Sequence, residues 1–333
     1  MKFFKRIGID LGTSNCLVWM EGNGVVLAEP TLVAVSADDR RIIAVGREAE
    51  EMIGKTPDYI EIIRPLQDGV IDDYEITEAL IRTFIRRVMG NNWFLGPEVM
   101  VCIPASVTQV EQRAILDATL GAGARKAYMI DKPLAAAIGA KIAISESFGN
   151  MIIDVGGGNT EVAVIALGGV VTHNSGRIGG IKIDKAIVEF LKKEYGLIIG
   201  EKTAENLKIK IGSAIKLKKT EIESVSGRDF ITGLPKVVDV DSDAIHEAIK
   251  PTLEGIIEVI RRALELTPPE LLSDIMDRGI ILAGGGSQLR NLNVFVTREI
   301  GVSTHLAIDP QLCVIKGTGL VIENLETYKR ALR

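Results

Sequence analysis

The chain has little of what builds the simplest sites. Its three cysteines, Cys16, Cys102 and Cys313, lie far apart and form no CxxC or Cys/His cluster. Neither a disulfide framework nor a structural zinc site is readable, and a reducing, cytoplasmic compartment is expected. The three histidines, His173, His246 and His305, are isolated, and each reads as a surface or core residue. No apolar run reaches the ~18 residues of a spanning helix, and Asp10 arrives before a signal-peptide core can form, so neither a membrane span nor export is expected. The 39 Lys plus Arg are outnumbered by 44 Asp plus Glu, and no basic run stands out, so no nucleic-acid partner is expected. Low-complexity segments are absent as well. What remains is a globular composition: 47% hydrophobic, 25% charged and a mean hydropathy of +0.23, which excludes disorder. At 333 residues the chain is about twice the ~150-residue length of one domain, so two or more lobes with separate cores are expected.

Strand and helix patterns alternate, which reads as α/β with largely buried sheets. Ile7 to Trp19 is a strand, a small-residue turn and a second strand, and Gly22-Asn23-Gly24 then turns into Val25 to Leu27. A second meander of the same shape begins at Met151 and runs through Asp154, Gly156-Gly157-Gly158-Asn159, Val162 to Leu167 and a Gly168-Gly169 turn. Aligning Asp10 on Asp154 superposes Gly12 on Gly156, and Val25-Val26 meets Val170-Val171 after one insertion. This internal duplication suggests two related lobes facing each other, because a solenoid would repeat at a much shorter period. The helices expected include one on Leu80, Ile81, Phe84, Ile85 and Val88, one capped by Asp184, and one starting near Pro251. The stretches at about 34–65 and 200–246 read as smaller inserted subdomains.

An Asp closing a buried strand, followed at once by small residues, sets a carboxylate beside a row of unobstructed backbone N–H groups. Two such turns suit a metal–phosphate group. The N–H groups of Gly12 to Asn15 and of Gly156 to Asn159 face phosphate oxygens in this reading, with Asp10 and Asp154 holding Mg²⁺ through its waters. A third motif, Leu282-Ala283-Gly284-Gly285-Gly286-Ser287, runs from a buried strand into glycines that open a helix at Gln288-Leu289 and can pack against a nucleotide. Gly54-Lys55-Thr56 imitates the end of a P-loop, but Ala49 stands where the first glycine belongs, so it reads as a loop.

Together, Ile7-Gly8-Ile9-Asp10-Leu11-Gly12-Thr13, Ile153-Asp154-Val155-Gly156-Gly157-Gly158 and the Gly284 motif resemble the two phosphate motifs and the adenosine motif of the superfamily of actin, sugar kinases and seventy-kilodalton chaperones. From end to end the chain is similar to the MreB family of bacterial actins, notably at Ile63-Arg64-Pro65-Leu66-Gln67-Asp68-Gly69-Val70-Ile71, Thr232-Gly233-Leu234-Pro235 and Thr267-Pro268-Pro269-Glu270-Leu271. The resemblance implies a two-lobed actin-like (ribonuclease H-like) α/β fold with duplicated mixed sheets flanked by helices and two smaller inserted subdomains. Its implied division is 1–33, 66–143 and 315–333 for the first large subdomain and 34–65 for its insert. The second large subdomain is then 144–180 with 247–314, and its insert 181–246. It also implies ATP and Mg²⁺ as cofactors, and membrane-associated filaments that guide cell-wall elongation together with cell-wall elongation proteins. Carried over by position, it assigns triphosphate contacts to Thr13, Ser14, Asn15, Gly157, Gly158 and Asn159. Ribose and adenine contacts fall to the segment Glu205, Asn206, Leu207 and Lys208 and to Gly284, Gly285, Gly286, Ser287 and Gln288.

Two water-handling positions depart from the family. Where it has a Glu that helps activate the water attacking the γ-phosphate, this chain has Lys132, and Asn159 replaces the Thr near that water. A charged lysine is no base, so slow hydrolysis with retained binding is expected, unless Asp131 or Asn159 itself positions the water. Ile181 stands where the family usually has Asp. Trp93, Phe94 and Leu95 crowd a loop whose counterpart in the family enters the bilayer interface. Phe3 and Phe4 among Lys2, Lys5 and Arg6 offer a second shallow contact. The helix from about Val110 to Leu120 resembles the one that meets its symmetry mate in paired protofilaments. There, Val110 is either the interface residue or a staple on its own helix. The rival functions are a small-molecule kinase, for which no further catalytic Asp motif is visible, and a chaperone, for which no peptide-binding domain is expected after residue 333.

Overall fold

In the computed structural model, which describes residues 4–90 and 96–328, each Asp-turn meander seeds a five-stranded sheet. The first meander is β1 (Arg6–Leu11), β2 (Asn15–Met20) and β3 (Gly24–Pro30). A small sheet of β4 (Val33–Ser36), β5 (Ile42–Val45) and β6 (Ile60–Ile63) follows, carrying the one-turn helix α1 (Arg47–Glu50). The ribbon β7 (Leu66–Gln67) and β8 (Val70–Ile71) leads into α2 (Tyr74–Met89). Then come β9 (Glu98–Ile103), α3 (Gln109–Gly121), β10 (Lys126–Asp131) and α4 (Lys132–Gly139).

The second half repeats the plan with β11 (Asn150–Val155), β12 (Thr160–Ala166), β13 (Gly169–Gly176) and α5 (Gly180–Tyr195). Its insert holds β14 (Leu197–Ile198), α6 (Glu201–Ile211) and the hairpin β15 (Ile222–Asp229) to β16 (Pro235–Asp241). After α7 (Ser242–Glu265) and α8 (Pro269–Arg278) come β17 (Ile280–Ala283), α9 (Leu292–Ile300), β18 (Thr304–Leu306) and α10 (Cys313–Glu323).

The sheet orders, β10-β9-β1-β2-β3 and β18-β17-β11-β12-β13, are the same read along the duplication. In each, the strand ending in Asp pairs antiparallel with its meander neighbour and parallel with the strand on its other side. The apolar runs of β11 and β12 are buried throughout, as strands covered on both faces require. Each half has its own core, and a third core at the junction takes Met100 and Ile130 from one sheet and Ile152, Ala163 and Ile165 from the other.

At that junction α4 and α10, which follow the equivalent strands β10 and β18, pack backbone to backbone. A Cβ on Gly139 would lie 1.8 Å from the Cys313 carbonyl oxygen, and one on Gly317 would lie 1.8 Å from that of Ala135. Both positions therefore require glycine.

Helix boundaries differ from expectation in two places. The helix expected near Pro251 begins at Ser242, capped by Asp241, whose carboxylate accepts from the Ala244 N–H at 2.7 Å, and Pro251 lies within it. Proline is a helix-start signal only in the first turn, so here it misled. Asp184 is inside α5 rather than at its cap, because the helix opens at Gly180, where the Gly180 and Ile181 N–H groups donate to the carbonyls of Gly156 and Gly157. All three cysteines are free and buried. Among the described residues no helix is long and apolar enough to cross a membrane. Trp93, Phe94 and Leu95 lie outside the described residues.

Candidate functional site

The two Asp turns close in the same way. The Gly12 N–H donates to the Asn15 carbonyl at 3.1 Å, and the Gly156 N–H donates to the Asn159 carbonyl at 2.8 Å. The loops meet across the junction so closely that a Cβ on Gly157 would fall 1.9 Å from Ser14 Oγ. Thr13 is held by the β7–β8 turn, whose Gly69 N–H donates to Thr13 Oγ1 at 2.9 Å. Thr31 braces the same loop from behind, donating from Oγ1 to the Gly12 carbonyl at 2.7 Å. The sequence-expected phosphate residues Gly12 to Asn15 and Gly156 to Asn159 are thus brought together.

Asp10 and Asp154 end the central strands of the two sheets, both buried. Between them stands the first residue of α4. Lys132 Nζ is 3.7 Å from Asp10 Oδ1 and 3.8 Å from Asp154 Oδ2, and the lysine side chain is only 12% exposed. Burial works against that charge, but the Coulombic pull of Asp10 and Asp154 outweighs it and holds the ammonium above the ordinary lysine range. An ammonium held in this way is a poor acceptor for a proton from water. Burial also raises the Asp154 carboxyl, with Lys132 opposing the shift. Asp10 Oδ1 in addition accepts from the Cys102 thiol at 3.1 Å.

This donor set does not fit a Mg²⁺ ion bound directly between the two carboxylates; Mg²⁺ held by Asp10 and Asp154 through its waters, as the sequence reading has it, would lie further out. An ion placed directly between the carboxylates would stand within roughly 4 Å of the ammonium, where repulsion at an effective dielectric of about 20 costs about 4 kcal/mol per unit charge. The carboxylates already have their counter-ion. Among the described residues no group of three or more His, Cys, Asp or Glu side chains is arranged to hold a metal.

Asn159 faces a residue that the sequence reading passed over. Its Nδ2 donates to Glu161 Oε1 at 2.8 Å, while Glu161 Oε2 accepts from the Ala105 N–H of the other half at 3.1 Å. Glu161 is 1% exposed, and burial pushes its carboxyl up to about 7 even with Lys132 pulling it down. It ties the second glycine loop to the first lobe. A buried Glu two residues beyond a glycine turn, in an otherwise apolar strand, was the available signal.

At the third glycine motif, Gly284 N–H donates to the Pro310 carbonyl at 2.9 Å, Ser287 Oγ donates to the Gly284 carbonyl at 2.6 Å, and Gln288 Nε2 donates to Gln311 Oε1 at 3.1 Å. Gly285 to Gln288 form a 3-10 turn rather than the start of an α-helix, which begins only at Leu292. On α6, Lys208 pairs with Asp184 at 2.8 Å and Glu205 with Lys202 at 3.8 Å. Burial pushes the Asp184 carboxyl up to about 6 against the pull of Lys208. Asn206 is exposed. Leu207, 2% exposed, packs in the second-lobe core with Ala204 and Ile211, so it does not line the site. Helical spacing puts 204, 207 and 211 on the buried face, with 205 and 208 together along its flank. Two ion pairs link the inserted subdomains directly: Lys202 with Glu50 at 2.6 Å and Arg64 with Glu201 at 3.5 Å.

Two lobes with duplicated sheets, and glycine loops meeting at their junction, define an actin-like protein. The family model described as MreB/Mbl protein matches residues 4–330. The cell shape-determining protein Mbl of Bacillus cereus is 42% identical over 332 residues, covering 99% of this chain and 100% of that protein. The cell shape-determining protein MreB of Escherichia coli is 44% identical over 331 residues, covering 98% and 95%. A crystal structure of MreB5 of Spiroplasma citri bound to ADP superposes with a TM-score of 0.93 at 34% identity, covering 99% of each chain. One bound to AMPPNP also gives a TM-score of 0.93, at 35% identity. The chain belongs to the MreB/Mbl family, and the small-molecule kinase reading falls away.

Proposed function

We propose that this protein is a nucleotide-switched, actin-like filament protein that helps determine cell shape, and that it binds ATP while hydrolysing it slowly. The observation that carries this reading is the pair of facing glycine loops, with Lys132 held between Asp10 and Asp154 at the position where the resemblance puts a water-activating Glu. Nucleotide binding to the relatives' fold supports it, since MreB5 of Spiroplasma citri binds ADP and AMPPNP. The roles assigned to the phosphate loops, to Glu205 and Lys208, and to Gly284 through Gln288 belong to this proposal. In it Asp131 stands at the N-cap of α4, and Lys132, the first residue of that helix, faces the nucleotide.

Self-association into paired protofilaments is part of the same reading. Val110 stands in the first turn of α3, whose Thr108 and Glu111 form a reciprocal capping box, and it is 79% exposed. That exposure favours contact with a second copy over a staple on its own helix. Sedimentation with and without ATP tests the proposal. ATP-dependent pelleting of paired filaments is expected, with Val110→Glu leaving only single filaments. A chain that binds ATP but never pellets would contradict it.

The filaments work at the inner face of the cytoplasmic membrane, with cell-wall elongation proteins as partners. The apolar cluster Trp93, Phe94 and Leu95 is the contact in this reading. Phe4 is already engaged, with the Arg125 guanidinium 3.7 Å above its ring centroid, so it contributes less. A Trp93→Ser, Phe94→Ser double variant is expected to lose most of its co-sedimentation with anionic liposomes, and unchanged binding would sink the loop assignment.

A further inference from the structure

We infer that Lys132 is a built-in replacement for the divalent cation, so that this chain binds nucleoside triphosphate without needing Mg²⁺. The inference rests on the nucleotide-binding reading of the cleft and deepens it by naming the ionic form of the ligand.

Two buried carboxylates at the ends of β1 and β11 face a site meant for phosphates. Left alone they repel both each other and a polyanion, and a divalent ion is the usual remedy. Here the fold supplies the remedy covalently. Lys132 is the first residue of α4, and α4 is fixed by its glycine contact with α10, so the ammonium is delivered to one place, 3.7 Å from Asp10 and 3.8 Å from Asp154. The position is sheltered rather than a solvated surface pairing, since the three side chains are 12%, 8% and 2% exposed. Cys102 adds a thiol donor to Asp10 Oδ1, which further satisfies that carboxylate without a metal. Charge comparison gives the direction. With the family's Glu at this position Asp10 and Asp154 would face a further carboxylate and no cation. With Lys132 they face a cation instead, a change of two units toward accepting a bare triphosphate, while the buried Glu161 carboxyl stands nearby in either case. An ammonium also offers N–H donors to phosphate oxygens, which is how lysines bind phosphates elsewhere.

The test is the dissociation constant for ATP, measured by titration calorimetry on the full chain in excess EDTA and again in excess Mg²⁺. For the unaltered protein the two values are expected to agree within about threefold. For Lys132→Met the affinity in EDTA is expected to fall by about a hundredfold relative to Mg²⁺, because two unpaired carboxylates then face the phosphates. Bound Mn²⁺, counted by electron paramagnetic resonance in the absence of nucleotide, gives a second readout. Lys132→Met should hold an immobilised ion on protein carboxylates that the unaltered chain does not. If the unaltered chain binds ATP well in Mg²⁺ but loses it in EDTA, the inference is overturned while the nucleotide reading stands. If it binds in neither buffer, the nucleotide reading fails and takes this inference with it. Because the comparison on the unaltered chain is decisive by itself, a poorly folding variant would not rescue the idea.

Discussion

Lys132→Glu is expected to raise phosphate release from Mg-ATP by about a hundredfold, toward the low end of the 10²–10⁴ that general-base assistance supplies. The sign follows from the charge state. The ammonium is pinned by Asp10 and Asp154, and the fall in pKa that would let a buried lysine act as a base does not occur here. A carboxylate at the head of α4 restores a group that can orient and deprotonate water. Excess Mg²⁺ belongs in this assay, since the variant gathers three carboxylates. An unchanged rate would mean that residue 132 does not limit hydrolysis, and Asp131 or Asn159 would then become the candidate for handling water.

The second large effect is on the fold. Gly317→Ala replaces a helix-interior glycine with the best helix former, which by propensity alone stabilises by about 1 kcal/mol. The contact with Ala135 reverses the sign, because a Cβ 1.8 Å from a carbonyl oxygen forces α10 away from α4. Overpacking of this kind is expected to cost about 3 kcal/mol, seen as a fall of roughly 5–10 °C in the thermal midpoint. Gly169→Ala, where nothing lies within 4 Å of the added carbon, serves as the comparison and should change little. A Gly317→Ala midpoint equal to or above that of the parent would show that the two helices are not in backbone contact.

The parts of the fold legible in the sequence were those written as local pattern. The duplication was visible because an Asp at a strand end and a glycine turn recur with matching offsets, and the two sheets repeat that correspondence strand by strand. The loops at Gly12 and Gly156 were legible for the same reason. Less legible was whatever depends on partners distant in sequence. The glycine contact of α4 with α10 joins residues that no local window contains. Leu207 was placed at the site by the position of its segment, whereas helical spacing sends it into the core. Lys132 was recognisable as a substitution, but its destination between two carboxylates from different sheets depends on how the halves dock. The sequence reading expected it beside phosphates, and the fold shows which anions it already serves. Glu161 escaped for a similar reason, since its importance lies in the Ala105 N–H it reaches across the junction.

The most direct test of the central claim is steady-state phosphate release from the unaltered chain with Mg-ATP, followed across concentrations at which it does and does not sediment. A polymer that assembles on ATP while Lys132 withholds general-base help should pellet with release close to background at every concentration. Release that climbs in step with the pelleted fraction would contradict the account and make the chain an ordinary filament ATPase.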